Sequence, residues 1–426
     1  MRVSSGAMNW RHLFCVLGGL ALLTACTPLV RPPPPSQAPP IPFTPVARFE
    51  VAAWTSVDGW STDNPLEALT AFAAGCTTLR NRPEWQPACE QVQRQPARSP
   101  DEARRFFEAR FEPWRVSYAD EQGRSVDSGM ITGYYEPVLR GSRARGAGYE
   151  VPLYAVPDDL VTIELGDLYP ALKGERVRGR LAGRRVLPYY DRAALSRGDL
   201  LRGKELVWVD NALDAFFLQI QGSGRVMLPD GQVLRLVYAD QNGHPYKAIG
   251  RYLVEHGELT VEQATLPGLR QWLRDHPERL DEVLNANPSV VFFREEKLGN
   301  PEQGPRGALG VPLTAGRSIA VDPRQLPLGA PLFLATTYPL LSTVTTAPTP
   351  APAATPPITA TLARLVMAQD TGGAIRGPVR ADLFWGLGPA AGELAGSMRQ
   401  QGRLWLLWPK GRIPPAPSID KLPPPQ

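Results

Sequence analysis

The alternation of apolar and polar positions divides the chain into a helical opening, a strand-rich middle and a strand-rich end. Asn64-Pro65-Leu66-Glu67 sets a capping residue, a first-turn proline and a carboxylate in order, and Leu66, Leu69, Phe72 and Ala73 then recur at helical spacing. Ser99-Pro100-Asp101-Glu102 repeats the signal ahead of Phe106, Phe107 and Phe111, so helices are predicted over 64–112. Alternating stretches broken by Gly and Pro, at 149–155, 178–185 and 205–210, predict strands. The stretch FFLQIQGSGRV (216–226) reads as a further strand, with Gln219, Gln221 and Ser223 on one face and Leu218 and Ile220 on the other. A row of polar groups on a strand face suits a hydroxyl-rich ligand, and a solvated outer face has the same pattern. Helices return over 247–256, stopped by Gly257, then after the capping pair Thr260 and Gln263, and over 269–284 with a break at Pro277. Strands resume at 289–294, 331–335 and 362–368.

Composition changes this picture mainly at the ends. The 46 prolines cluster at 28–45, 345–357 and 409–425, which marks extended or unstructured segments rather than a proline-rich fold. Residues 342–360 read as a disordered insertion rich in Thr, Pro and Ala, and 409–426 as a disordered tail. Ahead of the first cluster, Arg2, Arg11 and His12 precede an apolar run, Leu13 to Ala25, whose 13 residues are too few to span a bilayer as a helix. Residues 1–25 therefore read as an export signal. Leu23-Thr24-Ala25-Cys26 resembles the lipobox of bacterial lipoproteins. That resemblance implies cleavage before Cys26, lipidation of its thiol and, with Thr27 following, an outer membrane lipoprotein facing the periplasm. The alternative is an ordinary secreted protein in which Cys26 is incidental. Residues 26–46 form a linker that prefers polyproline II, which at roughly 3.1 Å per residue holds a domain up to ~60 Å from its anchor.

The net charge of +4 is slight for this length, and no basic run carries interleaved aromatics, so nucleic acid is excluded as a partner. Cys76 and Cys89 are close enough in sequence for a disulfide in an oxidising compartment, although two buried thiols have the same signature. His244, His256 and His276 lack metal-ligand spacing, there is no Cys-x-x-Cys pair, and Gly222-Ser223-Gly224 lacks the residues of a nucleophile elbow. No metal and no cofactor is expected. Carboxylates remain as the source of chemistry.

Asp370 and Asp382 flank a run containing Gly372, Gly373 and Gly377, with Phe384 and Trp385 following as an apolar wall able to keep a carboxyl protonated. Asp127-Ser128-Gly129 and Asp370-Thr371-Gly372 look like the paired triplets of aspartic proteases, but Met130 and Gly373 stand where that family has Thr or Ser. A more specific pattern runs through the chain. Asp322 in AVDPRQLPLG (320–329), Asp370 in AQDTGGAIRG (368–377) and Asp382 in RADLFWG (380–386) look like the three aspartates of the 3D domain. Together with ITGYYEPV (131–138), FFLQIQGSG (216–224), the segment Asn242 to Tyr246 and NPSVVFF (287–293), they resemble the membrane-bound lytic murein transglycosylase A family.

This resemblance implies a mainly β protein with some helices. A double-psi β-barrel domain (47–137 plus 288–408) receives a second β-rich domain (138–287), and a groove between them takes peptidoglycan glycan strands. It further implies a peptidoglycan lytic exotransglycosylase that cleaves the β-1,4 bond between N-acetylmuramic acid and N-acetylglucosamine, leaving 1,6-anhydromuramyl ends. Asp382 falls on the catalytic aspartate. Glycosidases ordinarily use two carboxylates, but one suffices where the muramyl C6 hydroxyl is the nucleophile. Asp370 is then a supporting group and Asp322 a structural one. Thr132, Tyr134, Tyr135, Gln219, Gln221 and Ser223 are expected to line the groove, with at most one of the two adjacent tyrosines facing it. Glu136 is a further substrate-side candidate and a possible second carboxylate. A cell-wall complex is a partner class this reading admits. A murein-binding lipoprotein without catalysis is the rival from another class.

Overall fold

The computed structural model describes residues 43–169, 172, 177–340 and 359–418. The signal segment, Cys26, most of the proline-rich linker, nearly all of the 342–360 insertion and the last eight residues lie outside these. Among the described residues no helix is long and apolar enough to cross a membrane.

Six strands close on themselves. They are β1 (Ser128–Glu136), β2 (Ser318–Val321), β3 (Pro331–Pro339), β4 (Thr359–Asp370), β5 (Ala381–Leu387) and β6 (Arg399–Pro409), in the spatial order β6-β3-β4-β2-β5-β1 with β1 returning to β6. The β2–β4 and β5–β1 pairs are parallel and the other four are antiparallel. Closure removes the open edges and gives one interior, filled by Ile131, Ile319, Val321, Leu332, Val366 and Leu404. Arg48–Val51 and Phe111–Ala119 extend this sheet outward from β6.

The opening helices form as their sequence signals indicate. They are α1 (Pro65–Leu79), α2 (Gln86–Arg94) and α3 (Pro100–Arg110); the Asn64 side chain caps α1 by accepting from Leu66 N–H, and Ser99 caps α3 by accepting from Glu102 N–H. Phe72 packs against Trp85, Phe106, Phe107 and Phe111, and Trp85 also meets Trp408 of β6, so the helices and the barrel share one core. Cys76 of α1 and Cys89 of α2 are joined as a disulfide. Buried Arg317 pairs with buried Asp63 at 2.9 Å, and Asp63 also accepts from Leu365 N–H of β4, which fastens the entry to α1 onto the barrel.

Between β1 and β2 the chain builds a six-stranded sheet in the order Val291–Glu296, Val233–Gln241, Ser223–Met227, Val138–Ser142, Glu205–Val209, Val151–Tyr154, and a separate three-stranded one. The mainly β expectation holds, but 216–226 does not form one strand. Residues Ala212–Gln221 are a helix, α4, capped by Asn211, whose side chain accepts from Asp214 N–H, and ended by Gly222 at φ +78°. The cap, the left-handed terminal glycine and the burial of Leu213 and Phe216 in one core cluster and of Leu218 in another outweigh a short alternation. Thr260 and Gln263 exchange the expected reciprocal bonds, yet close only a turn; α5 (Ile249–Glu255) precedes it, and α6 (Leu266–Asp275) starts afterwards with Thr265 as its cap. Thr359 and Ala360, assigned to the insertion, already belong to β4. Residues 409–418, assigned to a disordered tail, are tied down by Lys410 N–H on Arg110 O and Ser418 N–H on Arg324 O.

Candidate active site

Strand register brings the expected carboxylates together. Ala320 of β2 is paired with Asp382 of β5 on one side and with Asp370 of β4 on the other. Two strand spacings separate the aspartates, about 9.5 Å between Cα atoms. Parallel pairing of β5 with β1 sets Thr132 beside Asp382 and Tyr134 beside Phe384.

Asp382 is half-buried, and the Thr132 hydroxyl donates to its Oδ1 at 2.5 Å. Burial pushes the carboxyl up to about 6; the Thr132 bond and the Arg380 charge hold it back, and the Asp370 charge adds to the rise. Phe384 is buried with its ring centroid 5.3 Å from that of Tyr134, and it supplies the apolar wall. Trp385 does not share that role. Strand alternation turns it to the opposite face, where its ring fills the space beside Gly133 and its Nε1–H reaches Met398 Sδ at 3.3 Å. A side chain at residue 133 would meet that ring at 2.6 Å, so this crossing requires glycine.

Asp370 is held by a different set of donors. Ala308 N–H donates to Oδ1 at 2.9 Å and the Tyr134 hydroxyl to Oδ2 at 3.0 Å. Burial raises its carboxyl, with the Ala308 and Thr371 amides and Tyr134 pulling the other way. Burial, and then the charges of Asp370 and Asp382, push the Tyr134 phenol well above its ordinary value, so Tyr134 remains a donor. Asp322 is buried in a two-pronged pair with Arg324 at 2.8 and 2.9 Å and accepts from Gly377 N–H at 3.0 Å. Burial disfavours its charge, but these donors prevail and its pKa is lowered. It pins the loop between β4 and β5, which turns at Gly377 with φ +115°.

The other candidates fall elsewhere. Tyr135 is buried on the far face of β1 against Gly392 of α7 (Gly388–Ser397), so of the two tyrosines only Tyr134 reaches the aspartates. Glu136 is fully buried between Arg225 and Arg235, at 3.1 and 3.0 Å, and is a structural ion cluster rather than a substrate-side or second catalytic carboxylate. Gln219 and Gln221 lie on a helix, about 200° apart, and so do not share a face. The Gln219 side chain accepts from Arg192 at 2.7 Å, whereas that of Gln221 accepts from Tyr135 N–H at 3.0 Å. Ser223 begins a strand, half-buried and paired with Val237. Asp127 pairs with Arg115 at 3.8 Å and has no hydrogen bond to Asp370 among the described residues, which removes the protease arrangement. A cavity of ≈ 500 Å³ opens between β1 with α7 and helices α5 and α6; Gly133, Tyr135, Gln221, Tyr246, Leu266 and Arg399 line it. It lies across β1 from the Asp382 carboxyl.

Comparison with known proteins decides the family. Residues 130–294 match the MltA specific insert domain and 317–408 match the 3D domain. Membrane-bound lytic murein transglycosylase A of Escherichia coli K12 is 31% identical over 296 residues, covering 69% of this chain and 68% of the relative. The chain belongs to the membrane-bound lytic murein transglycosylase A family.

MltA from Neisseria gonorrhoeae, in a monoclinic crystal form, is 38% identical with a TM-score of 0.70, covering 87% of this chain and 96% of that one. E. coli MltA with bound chitohexaose is 26% identical with a TM-score of 0.61, covering 86% and 94%. This MltA-family chain accordingly has the fold of a double-psi β-barrel domain with an inserted domain, and it is a lytic murein transglycosylase, a peptidoglycan-cleaving lyase. Two groups at the site escaped sequence reasoning. The Ala308 amide reaches Asp370 from 62 residues away, and Arg380, two residues before Asp382, bonds Thr132 across 248 residues of chain.

Proposed function

We propose that Asp382 performs both proton transfers of the lytic reaction. As an acid it donates to the glycosidic oxygen while the bond from the muramyl C1 breaks. As a carboxylate it then removes the proton from the C6 hydroxyl of the same sugar, whose oxygen bonds to C1 and closes the 1,6-anhydro ring. The proton returns to Asp382 and no water is consumed. The observation that carries this reading is a half-buried carboxyl with one oxygen tied to Thr132, beside the apolar Phe384, which matches an acid poised near neutrality. Asp370 suits support better than a second proton transfer, because both its oxygens already accept hydrogen bonds.

Thr132 and Tyr134 serve the carboxylates directly, whereas Tyr135 and Gln221 line the cavity on the other face of β1. The chitohexaose held by the E. coli relative supports a glycan strand as the substrate here. Residues 47–137 with 288–408 are read as the barrel domain and 138–287 as the inserted domain, with the second boundary moved past Glu296 because Val291–Glu296 pairs with Val233–Gln241 in the inserted sheet. Lipidation at Cys26 and an outer membrane position facing the periplasm extend the name of the relatives, which are membrane-bound. Digestion of purified murein tests the reaction: 1,6-anhydro products from the wild type, and none from Asp382→Asn at unchanged fold, are expected. Reducing ends instead of anhydro ends would overturn it.

A further inference from the structure

Arg380 stands immediately before β5 with its guanidinium against β1. Its Nη2 donates to Thr132 Oγ1 at 2.9 Å, and its Nη1 donates to the carbonyls of Ala381 at 2.5 Å and Met130 at 3.3 Å. These are three neutral acceptors. Burial works against the charge of Arg380 and the Asp382 carboxylate favours it. A guanidinium can only donate, so Thr132 Oγ1 must accept from it. With one lone pair of Thr132 Oγ1 so engaged, its single proton is directed toward Asp382 Oδ1, 2.5 Å away.

A threonine hydroxyl is otherwise a free rotor that can accept as readily as donate. Facing a protonated carboxyl alone, it would take the acid's proton in its own hydrogen bond, pointing that proton into the protein. We propose that Arg380 is a positioning residue: by fixing the direction of the Thr132–Asp382 hydrogen bond, it reserves Oδ2 of Asp382 for the proton exchanged with the glycan. This inference rests on the reading of Asp382 as the acid and base. Arg380 also favours the carboxylate that forms when the proton leaves, a contribution made at the charged stage of the reaction and not before.

The groups facing Asp382 are Thr132 and Tyr134 from β1, Asp370 from β4 and Arg380 from its own chain segment. Removing the Arg380 charge leaves the upward push of Asp370 in place. The acid form of Asp382 should then persist to higher pH, and the alkaline limb of the rate profile should move upward.

The test uses the full-length protein with murein sacculi, following release of 1,6-anhydromuropeptides from pH 4 to 9. The variants are Arg380→Met, Arg380→Lys, Thr132→Val and the Arg380→Met/Thr132→Val double. Arg380→Met should lower kcat roughly tenfold to a hundredfold with KM within about twofold, and shift the alkaline limb upward. Arg380→Lys, keeping charge and a donor, should recover much of the loss and keep the fold if Arg380→Met does not. In the Thr132→Val background the Met substitution should cost far less than it does alone. Full additivity with Thr132→Val, or a reduced kcat with an unmoved limb in Arg380→Met and no recovery in Arg380→Lys, would overturn the proposal. Asp382→Asn run alongside separates the two claims: if it keeps turnover, the reading of Asp382 itself fails whatever Arg380 does.

Discussion

Replacing Asp382 by asparagine should abolish activity and at the same time stabilise the protein at neutral pH. The carboxyl titrates near 6 in the folded chain because burial disfavours its charge, whereas an unfolded aspartate titrates near ~3.9. Between those values the native state binds more protons than the unfolded one, so stability falls as pH rises from about 4 to about 6 and stays lower above it. About two units at ~1.4 kcal/mol each amount to roughly 3 kcal/mol at pH 7.5. The substituted amide would keep an oxygen for the Thr132 hydroxyl and carry no charge to desolvate. The gain should appear as a melting temperature about 5 °C above wild type at pH 7.5. Near pH 4, where both side chains are neutral, the difference should close. Thermal melts of wild type and Asp382→Asn at several pH values between 4 and 8 measure this directly. A variant that melts below wild type at pH 7.5, or a gap that does not change with pH, would refute the reasoning that Asp382 is held as a strained acid.

Other expectations concern the scaffold. Replacing both Cys76 and Cys89 by alanine removes a short loop closure between α1 and α2, worth roughly 3 kcal/mol in the chain-entropy model, and denaturant titration should show the loss without a change in products. Glu136→Gln leaves Arg225 and Arg235 buried without their counter-charge, which should cost about 3 to 5 kcal/mol by the same titration. A stability equal to wild type would mean that the two arginines are satisfied by the carbonyls of Pro301 and Gln303 alone.

The pairing of Asp370 with Asp382 was legible because both sit at strand ends around a glycine turn, and the helical opening because its capping residues are local signals. Tyr134 was separable from Tyr135 because strand alternation is a local rule, although its bond to Asp370 is not. The failures share a cause in tertiary context. Leu218 and Ile220 alternate with glutamines over too few residues to outvote the Asn211 cap and Gly222, so Gln219 and Gln221 were assigned one face and occupy two. Glu136 looked available because its two arginines lie 89 and 99 residues away. Trp385 follows Phe384 in sequence, and adjacency suggested a shared wall where the pleat separates them. Arg380 lies two residues from Asp382, but its bond to Thr132, 248 residues distant, has no local signal.

The central claim is that one carboxyl, Asp382, moves a single proton out and back while the substrate's own hydroxyl replaces water. Mass spectrometry of the murein fragments released in ¹⁸O-labelled water tests it most directly. Muramyl ends that are 1,6-anhydro and free of label are expected. Reducing muramyl ends carrying one ¹⁸O would contradict it.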